Sequence, residues 1–255
     1  MRTSIAWLAA TLLLSTSASA AVFRSPNVKL LSTKTFKQTV QGSDKLTVAA
    51  FVAPWCGYCK KLAPNYDKVA DSLKGLVNVV AVDCDVDQNK QLCGEMGIKG
   101  FPTLKIFPGG KSPAEEYMGA REAKDIITHA TSRMPTFVKR AATAKDVDGL
   151  REKAKSKPVS LLFTSASKVT PLYKALSTDF YRQMDFYAAR DTKVGQDAMA
   201  TFGVDKVPAL VILTSDDKVH KYEGPLKYDK IRAFLEPFAG AKASGSKSKP
   251  THDDL

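Results

Sequence analysis

The sequence predicts an α/β protein made of two similar domains, each a central mixed β-sheet flanked by helices. The first observation is a repeat, because residues 96–104 match residues 202–210 at a spacing of 106 positions. Farther along, 117–119 (Tyr-Met-Gly) matches 222–224 (Tyr-Glu-Gly). A repeat of this length indicates two copies of one domain rather than a solenoid. The chain of 255 residues is long enough for both.

Hydrophobic patterning gives each copy the same order of elements: strand, helix, strand, helix, strand, helix, a proline turn, two strands and a closing helix. In the first copy the apolar run Leu46–Val52 predicts a buried strand, and Val77–Val82 predicts its neighbour. Between them, Lys60–Leu73 predicts a helix with a kink at Pro64. Amphipathic patterns place the closing helices at Glu122–Thr131 and Tyr228–Phe238.

Two cysteines, Cys56 and Cys59, lie where the first buried strand meets its helix, in the run Ala-Pro-Trp-Cys-Gly-Tyr-Cys-Lys. Sulfur atoms at this spacing share one helical turn and can alternate between a dithiol and a disulfide. At a helix N-terminus the first sulfur is stabilised as a thiolate by backbone N–H groups and the helix dipole. The motif predicts thiol–disulfide exchange, with Cys56 as the nucleophile and Cys59 as the resolving thiol.

The two ends of the chain predict its compartment. Residues 1–20 have a basic start, an apolar run and small residues before an expected cleavage after Ala20, which is the pattern of a secretory signal peptide. A membrane anchor is the alternative, but an apolar core of roughly ten residues is too short to span a bilayer. The last four residues, His-Asp-Asp-Leu, resemble a retention signal of the endoplasmic reticulum lumen. Residues 241–255 are therefore predicted to be a flexible tail that carries this signal.

The predicted boundaries leave one domain at 21–134 and a second at 135–240. The formal net charge is +12, which raises the possibility of a nucleic-acid partner. The lysines are scattered over both halves and no groove-reading motif is present, so a solvated basic surface is the better interpretation. Neither nucleic-acid binding nor membrane insertion is expected.

At this point the sequence resembles a known family. Residues 51–64, Phe-Val-Ala-Pro-Trp-Cys-Gly-Tyr-Cys-Lys-Lys-Leu-Ala-Pro, resemble the active-site segment of the protein disulfide isomerase family. Residues 100–103, Gly-Phe-Pro-Thr, resemble that family's cis-proline loop. The resemblance covers residues 26–240 and implies two thioredoxin-like domains, of which the first is redox-active and the second inactive. This layout is similar to that of small fungal members of the endoplasmic reticulum.

The resemblance implies catalytic or supporting roles for six residues, one of which is Pro102. Cys56 is expected to attack client disulfides and form the mixed disulfide, and Cys59 is expected to resolve it. Gly57 and Tyr58, between the two sulfurs, are expected to support them. Arg121 matches an arginine thought to lower the pKa of the second cysteine, and a plain surface arginine is the alternative.

The resemblance also implies how the protein meets its partners. Pro102, expected to be cis, is expected to lie beside the sulfurs, and the backbone of Phe101 is expected to pair with an extended client segment. Trp55 is expected to join them in contacting the client. The implied partners are unfolded or misfolded secretory proteins, with glutathione or an endoplasmic-reticulum thiol oxidase as redox partner. No metal or organic cofactor is implied.

Two positions depart from the family pattern. Tyr58 stands where the family usually has histidine, and tyrosine supplies no positive charge at neutral pH. We therefore expect a poorer oxidant than a site with Gly-His. Six positions before Cys56 the family usually has a buried acid, whereas this chain has Ala50. Without that carboxylate we expect slow resolution and long-lived mixed disulfides.

Cys84 and Cys93 are the remaining cysteines. In an oxidising compartment a structural disulfide is the leading interpretation. The alternatives are a second redox pair and a zinc site of all four cysteines, although the wide spacing of the second pair fits zinc poorly. The acidic run Asp83, Asp85 and Asp87 raises calcium as a further possibility, but it lacks the glycine and terminal glutamate of an EF-hand.

The second copy has no cysteine, because Cys93 is the last in the chain. Its residues 163–168, Phe-Thr-Ser-Ala-Ser-Lys, replace the redox motif, and we interpret their hydroxyl groups as helix caps. Serine catalysis would need a base, for which His220 is the nearest candidate. Two other function classes stay open for the whole chain: a client-binding chaperone with minor redox activity, and a structural interaction subunit.

Overall fold

The computed structural model describes residues 22–110 and 112–240. The predicted signal peptide and the predicted C-terminal tail lie outside the described residues. Two five-stranded sheets organise the described chain, one in each half. This confirms the predicted α/β class with two mixed sheets. No helix among the described residues is both long and apolar enough to cross a membrane.

The elements of the first domain follow the predicted order. They are β1 (Lys29–Leu30), α1 (Thr33–Phe36), a π-helical turn (Lys37–Gln41), β2 (Thr47–Val52), α2 (Gly57–Ser72), β3 (Asn78–Asp83), α3 (Asp87–Glu95), β4 (Thr103–Phe107), β5 (Glu115–Glu116) and α4 (Ala123–Arg133). Helix α2 begins three residues earlier than predicted, because Cys56 itself serves as the N-cap. Pro64 lies inside this helix.

The second domain repeats the same succession. Its elements are β6 (Val138–Arg140), α5 (Ala144–Ala154), β7 (Val159–Thr164), α6 (Pro171–Phe180), β8 (Asp185–Arg190), α7 (Lys193–Thr201), β9 (Ala209–Leu213), β10 (Val219–Tyr222), α8 (Tyr228–Leu235) and a closing 3-10 turn (Glu236–Phe238). The cap of α6 is the Thr170 hydroxyl rather than a hydroxyl of residues 163–168, so that expectation was wrong. The residues of 165–170 form a loop before the helix begins.

Both sheets have the same strand order. In the first it is β1-β3-β2-β4-β5, and in the second β6-β8-β7-β9-β10. The central strand of each is parallel to one neighbour and antiparallel to the other. All six residues of β2 are buried, as expected for a strand covered by helices on both faces.

The alternation of side chains along β2 divides the first core in two. Val48 and Ala50 face the side covered by α2 and α4, whereas Ala49 and Phe51 face the side covered by α1 and α3. Because helices pack on both faces of the sheet, the position and direction of β2 are fixed. The loop that follows Val52 is therefore held on a rigid base at the carboxyl end of the strand.

In each domain, a buried tyrosine in the helix that follows the central strand makes the same contacts. The hydroxyl of Tyr66 in α2 lies 2.9 Å from the carbonyl oxygen of Val48 and 2.8 Å from that of Val80. The hydroxyl of Tyr173 in α6 lies 3.0 Å from the carbonyl oxygen of Ser160 and 3.0 Å from that of Tyr187. Burial raises the pKa of both phenols, so each stays protonated and donates to a strand.

The two domains touch through a small polar cluster. Lys45, just before β2, forms an ion pair with Asp179 of α6 at 2.9 Å, and both side chains are largely buried. The Lys45 ammonium also lies 3.2 Å from the hydroxyl of Tyr228 and donates to the carbonyl oxygen of Gly75 at 2.7 Å. The ring of Tyr228 packs directly on Gly75. Burial and the neighbouring Asp179 carboxylate raise the pKa of Tyr228.

Candidate active site

The two sulfurs of the redox motif lie at the first turn of α2. Cys56 has extended backbone angles and is the helix N-cap, and its Sγ accepts a hydrogen bond from the amide of Cys59 at 3.3 Å. The amide of Cys56 in turn donates to the carbonyl oxygen of Ala53 at 3.1 Å, which closes the turn after β2. An N-cap normally uses a side-chain oxygen, so here a sulfur takes the position where negative charge is favoured.

The environments of the two thiols drive their acidities apart. Burial opposes ionisation of Cys56, but hydrogen bonds from Cys59 and from the Tyr58 amide, with the charge of Arg121, lower its pKa below the ordinary value. Burial, the hydrogen bond with Cys56 and the Cys56 charge together raise the pKa of Cys59 to about 12. Both cysteines are free, with Cys56 7 % exposed and Cys59 0 % exposed. The sulfur of Cys56 is therefore favoured as a thiolate and is accessible to a client disulfide. The sulfur of Cys59 is fully buried and stays protonated.

A proline loop covers the sulfur of Cys56 from the side. The peptide bond between Phe101 and Pro102 is cis. The Cys56 thiol lies 3.5 Å from the carbonyl oxygen of Phe101 and can donate to it. The repeated loop of the second domain also has a cis bond, between Val207 and Pro208, although this domain has no cysteine.

Aromatic side chains surround the opening to Cys56. Trp55 is 65 % exposed, and its ring meets Phe101 edge-on with centroids 5.9 Å apart. Its indole N–H donates to Asp85 at 3.0 Å. Sequence reasoning had not connected Asp85 with Trp55, because only the fold brings the residues after β3 beside the loop after β2. The sequence feature that points to this contact is the acidic run after β3, because the carboxyl ends of parallel strands lie at the same edge of a sheet.

Tyr58 and Gly57 face solvent between the two cysteines. Tyr58 is 67 % exposed, and the ammonium of Lys61 lies 5.5 Å from its ring centroid. A Cβ added at Gly57 would meet no atom within 4 Å. Gly57 therefore leaves the approach to Cys56 open, and the space around it does not require glycine.

Arg121 contacts the proline loop. Its guanidinium Nη2 donates to the carbonyl oxygen of Pro102 at 3.0 Å. Its charge favours the thiolate form of both Cys56 and Cys59. The hydrogen bond distinguishes Arg121 from an arginine that only extends into solvent.

The position of the missing acid lies in the core beneath the motif. Ala50 is 0 % exposed and has Ala81 of β3 and Leu104 of β4 as its register partners. Ala50 and Cys59 belong to the same buried cluster. The surroundings of Cys59 at this level are apolar, in agreement with burial as the largest cause of its raised pKa.

Cys84 and Cys93 are joined by a disulfide bond. Cys84 follows β3, and Cys93 lies in α3, so the bond ties the end of the strand to the next helix. This pairing removes the four-cysteine set that a zinc site would use. Among residues 22–110 and 112–240 no three His, Cys, Asp or Glu side chains are grouped in a way that could hold a metal ion.

Comparison with known proteins follows the same division of the chain. Residues 27–132 match the family described as Thioredoxin, and residues 134–242 match the family described as A6-like, middle domain. A Dictyostelium discoideum protein provisionally named protein disulfide-isomerase is 39 % identical over 220 residues, covering 84 % of this chain and 53 % of its own length. Protein disulfide-isomerase MPD1 of Saccharomyces cerevisiae is 32 % identical over 187 residues, covering 67 % of this chain and 58 % of its own. The chain belongs to the protein disulfide isomerase family.

The chain spans only part of the length of these relatives: 53 % of the Dictyostelium protein and 58 % of the yeast protein. A solved structure with the same fold is a crystal form of ERdj5. It has a TM-score of 0.51 and 18 % identity, with 83 % of this chain and 30 % of that chain covered. At this identity the likeness concerns the fold alone.

Proposed function

We propose that this family member is a thiol–disulfide oxidoreductase that forms, breaks and rearranges disulfides in folding secretory proteins. The observation that carries the proposal is the position of two free thiols on the first turn of α2, where Cys56 is the N-cap and its Sγ accepts from the Cys59 amide. The pKa of Cys56 is lowered and that of Cys59 is raised. In such a pair, Cys56 is the thiolate that attacks, and Cys59 is the protonated thiol that acts in the second step.

The chemistry proceeds through two exchanges. The Cys56 thiolate attacks one sulfur of a client disulfide, so a mixed disulfide forms and the other client sulfur leaves as a thiolate. Cys59 then loses its proton and attacks Cys56, which releases the second client thiolate. The Cys56–Cys59 pair is oxidised by two electrons, and the client disulfide is reduced. In the reverse direction the oxidised pair gives its disulfide to a client dithiol.

The roles of the neighbouring residues follow from their positions. Trp55, Phe101 and Pro102 form the surface that a client meets on its way to Cys56. Extended client backbone can pair with the peptide groups of the proline loop, as a strand adds to a sheet edge. Arg121 supports the thiolates by its charge, and the Cys84–Cys93 disulfide stiffens the neighbouring strand end. Redox chemistry is assigned to residues 21–134 and none to residues 135–240.

The predicted compartment is the lumen of the endoplasmic reticulum. The signal-peptide pattern and the final His-Asp-Asp-Leu support this part of the proposal. The expected partners are unfolded or misfolded secretory chains. Either glutathione or a thiol oxidase of the same compartment reoxidises the Cys56–Cys59 dithiol.

The test is the refolding of a scrambled multi-disulfide protein in a glutathione buffer. The chain should restore activity to the scrambled substrate, and Cys56→Ser should abolish the effect. Cys59→Ser should accumulate covalent adducts with the substrate that a reducing agent dissolves. The absence of such adducts, with the Cys59→Ser protein folded, would contradict the proposal.

A client-binding chaperone is the second candidate, and the second domain supplies the observation that favours it. It keeps the cis-proline loop at Pro208 and an open groove of about 700 Å³ beside that loop, with Leu226 46 % exposed at its edge. A protein with both Cys56→Ser and Cys59→Ser separates the two functions. If this protein still raises the refolding yield of a scrambled multi-disulfide client as much as the wild type does, non-covalent binding is the main activity.

A further inference from the structure

An apolar groove lies beside the active-site loop and is not needed for the thiol chemistry. We call it the Leu30–Val86 groove after the two exposed side chains at its rim, which are 60 % and 42 % exposed. Val22 and Pro54 add to its apolar lining, and its volume is about 300 Å³. A single exposed apolar side chain is common on protein surfaces, but two that flank one opening form a patch.

The position of the groove in the fold favours ligand binding. Its walls come from the carboxyl ends of all three parallel strands: β1 at Leu30, β2 at Val52 and β3 at Asp83. In α/β sheets, ligands bind in the crevice outside these strand ends. Pro54 belongs both to the groove and to the loop that carries Cys56.

The groove and the proline loop lie on opposite sides of β2. Strands β3 and β1 follow β2 on the side of the groove, and β4 and β5 follow on the side of Pro102. A client chain captured at Cys56 therefore has contact surfaces in both directions. The proline loop offers backbone pairing, and the groove offers a place for an apolar side chain.

Acidic side chains line and flank the groove. Among the described residues, Asp83 is the only ionisable one in its lining, and Asp85 and Asp87 flank Val86. Lys90 forms an ion pair with Asp87 at 2.6 Å. Asp83 accepts from the Asp85 amide at 2.9 Å, and Asp85 accepts from the indole of Trp55. Within the described ranges neither of these two carboxylates forms an ion pair.

The carboxylates of Asp83 and Asp85 make the Val86 side of the groove acidic, although the formal net charge of the protein is +12 and Lys29 precedes Leu30 at the other rim. We propose that the Leu30–Val86 groove binds an extended client segment that places one large apolar side chain between Leu30 and Val86 and adjacent lysine or arginine side chains at Asp83 and Asp85. The inference rests on the proposed function, because it adds a second, non-covalent contact for the client that Cys56 captures. A volume at the lower end of the range for ligand pockets suits one large side chain rather than a cofactor.

The test uses two fluorescent peptides without cysteine, each with a central leucine pair. One carries lysines beside the leucines and the other carries glutamates. The purified chain should bind the lysine peptide at least about tenfold more tightly, a difference of about 1.4 kcal/mol. This preference should weaken as salt is added, since exposed charges are screened.

Three variants locate the binding. Leu30→Ser with Val86→Ser should weaken binding of the lysine peptide about tenfold. Phe137→Ser, at an exposed phenylalanine of the second domain, should leave that binding unchanged. Asp83→Asn with Asp85→Asn should remove the preference for lysine, while the amide oxygens keep the hydrogen bonds to the Asp85 amide and to Trp55. Thermal unfolding and the alkylation rate of Cys56 verify that each variant is folded.

Several results would overturn the inference. They are equal binding of the two peptides, unchanged binding in the groove variants, and self-association that Leu30→Ser abolishes, which would assign the groove to a second copy of the chain. The assay involves no thiol chemistry, so it is independent of the proposed activity. Peptide binding without disulfide exchange would contradict only the proposed function, and exchange without the lysine preference would contradict only the groove.

Discussion

Arg121 and Pro102 are joined by a hydrogen bond in which the guanidinium donates to the proline carbonyl at 3.0 Å. The bond holds a positive charge against the loop that covers Cys56. From this position the charge lowers the pKa of Cys56, as do the hydrogen bonds of the first helical turn. Together these effects exceed the opposite effect of burial, which raises that pKa. The arginine therefore links the geometry of the proline loop to the acidity of the nucleophile.

Replacing Arg121 should make Cys56 less reactive at neutral pH. In Arg121→Met we expect the midpoint of Cys56 alkylation to move to higher pH, because the thiolate loses a favourable charge and its pKa rises. The alkylation rate at neutral pH should fall roughly two- to fivefold, the scale of an exposed charge interaction. Arg133→Met, which removes an arginine from the last turn of α4, where it pairs with Glu115, is the matched control. Equal midpoints in both variants would assign Arg121 a purely structural role.

We expect Tyr58 to influence a second property, the redox potential of the pair. Tyr58→His places a group that can carry positive charge next to the thiolate, which stabilises the reduced form and makes the disulfide more oxidising. We expect a shift of about 30 mV for each ~1.4 kcal/mol of added thiolate stabilisation. The glutathione equilibrium of the wild type, Tyr58→His and Tyr58→Phe measures it. Tyr58→Phe should stay near the wild type, and a histidine variant that does likewise would refute the prediction.

The apolar surroundings of Ala50 predict a slow second step. Burial is the largest cause of the raised pKa of Cys59 and persists in the mixed disulfide, where the charge of Cys56 is lost. Because the fraction of Cys59 thiolate grows with pH, the resolution rate should rise about tenfold per pH unit through neutrality. Quenched-flow release of a client from the mixed disulfide measures this slope.

A carboxylate at position 50 should reduce the pH dependence of the resolution rate. Ala50→Glu introduces a carboxylate that can accept the Cys59 proton, so resolution at pH values near neutral should become faster and less dependent on pH. Ala50→Gln has a similar volume without the base and serves as the control. If both variants fold and resolve the mixed disulfide at the same rate, proton transfer does not limit the step.

Much of the fold and of the site could be predicted from the sequence because the signals were local. The Cys-x-x-Cys spacing and the strand patterns each depend on neighbouring residues, and the proline loop at Pro102 was predicted from its resemblance to a known family. The bounds of α2 were missed at its start, since a cysteine is an unusual N-cap. The contacts of Asp85 with Trp55 and of Lys45 with Asp179 join residues 30 and 134 positions apart, and only the three-dimensional packing brings them together.

The packing of Tyr228 on Gly75 makes the contact between the domains testable. Gly75 has a φ of +78°, and a Cβ there would lie 2.3 Å from the Tyr228 ring. Gly97 has a φ of +66° with no atom within 4 Å of its Cβ position, so it provides the same backbone strain without the clash. We expect Gly97→Ala to cost about 1–2 kcal/mol of unfolding free energy from the left-handed backbone alone. Gly75→Ala should cost at least about 1 kcal/mol more, because the ring must move away and weaken the Lys45 cluster.

Urea unfolding followed by far-ultraviolet circular dichroism measures both changes. Tyr228→Ser in the Gly75→Ala background should recover the part of the loss due to the clash, since the ring is then absent. The same tyrosine substitution should not rescue Gly97→Ala. Equal losses in the two glycine variants would mean that the ring of Tyr228 does not rest on Gly75 in solution.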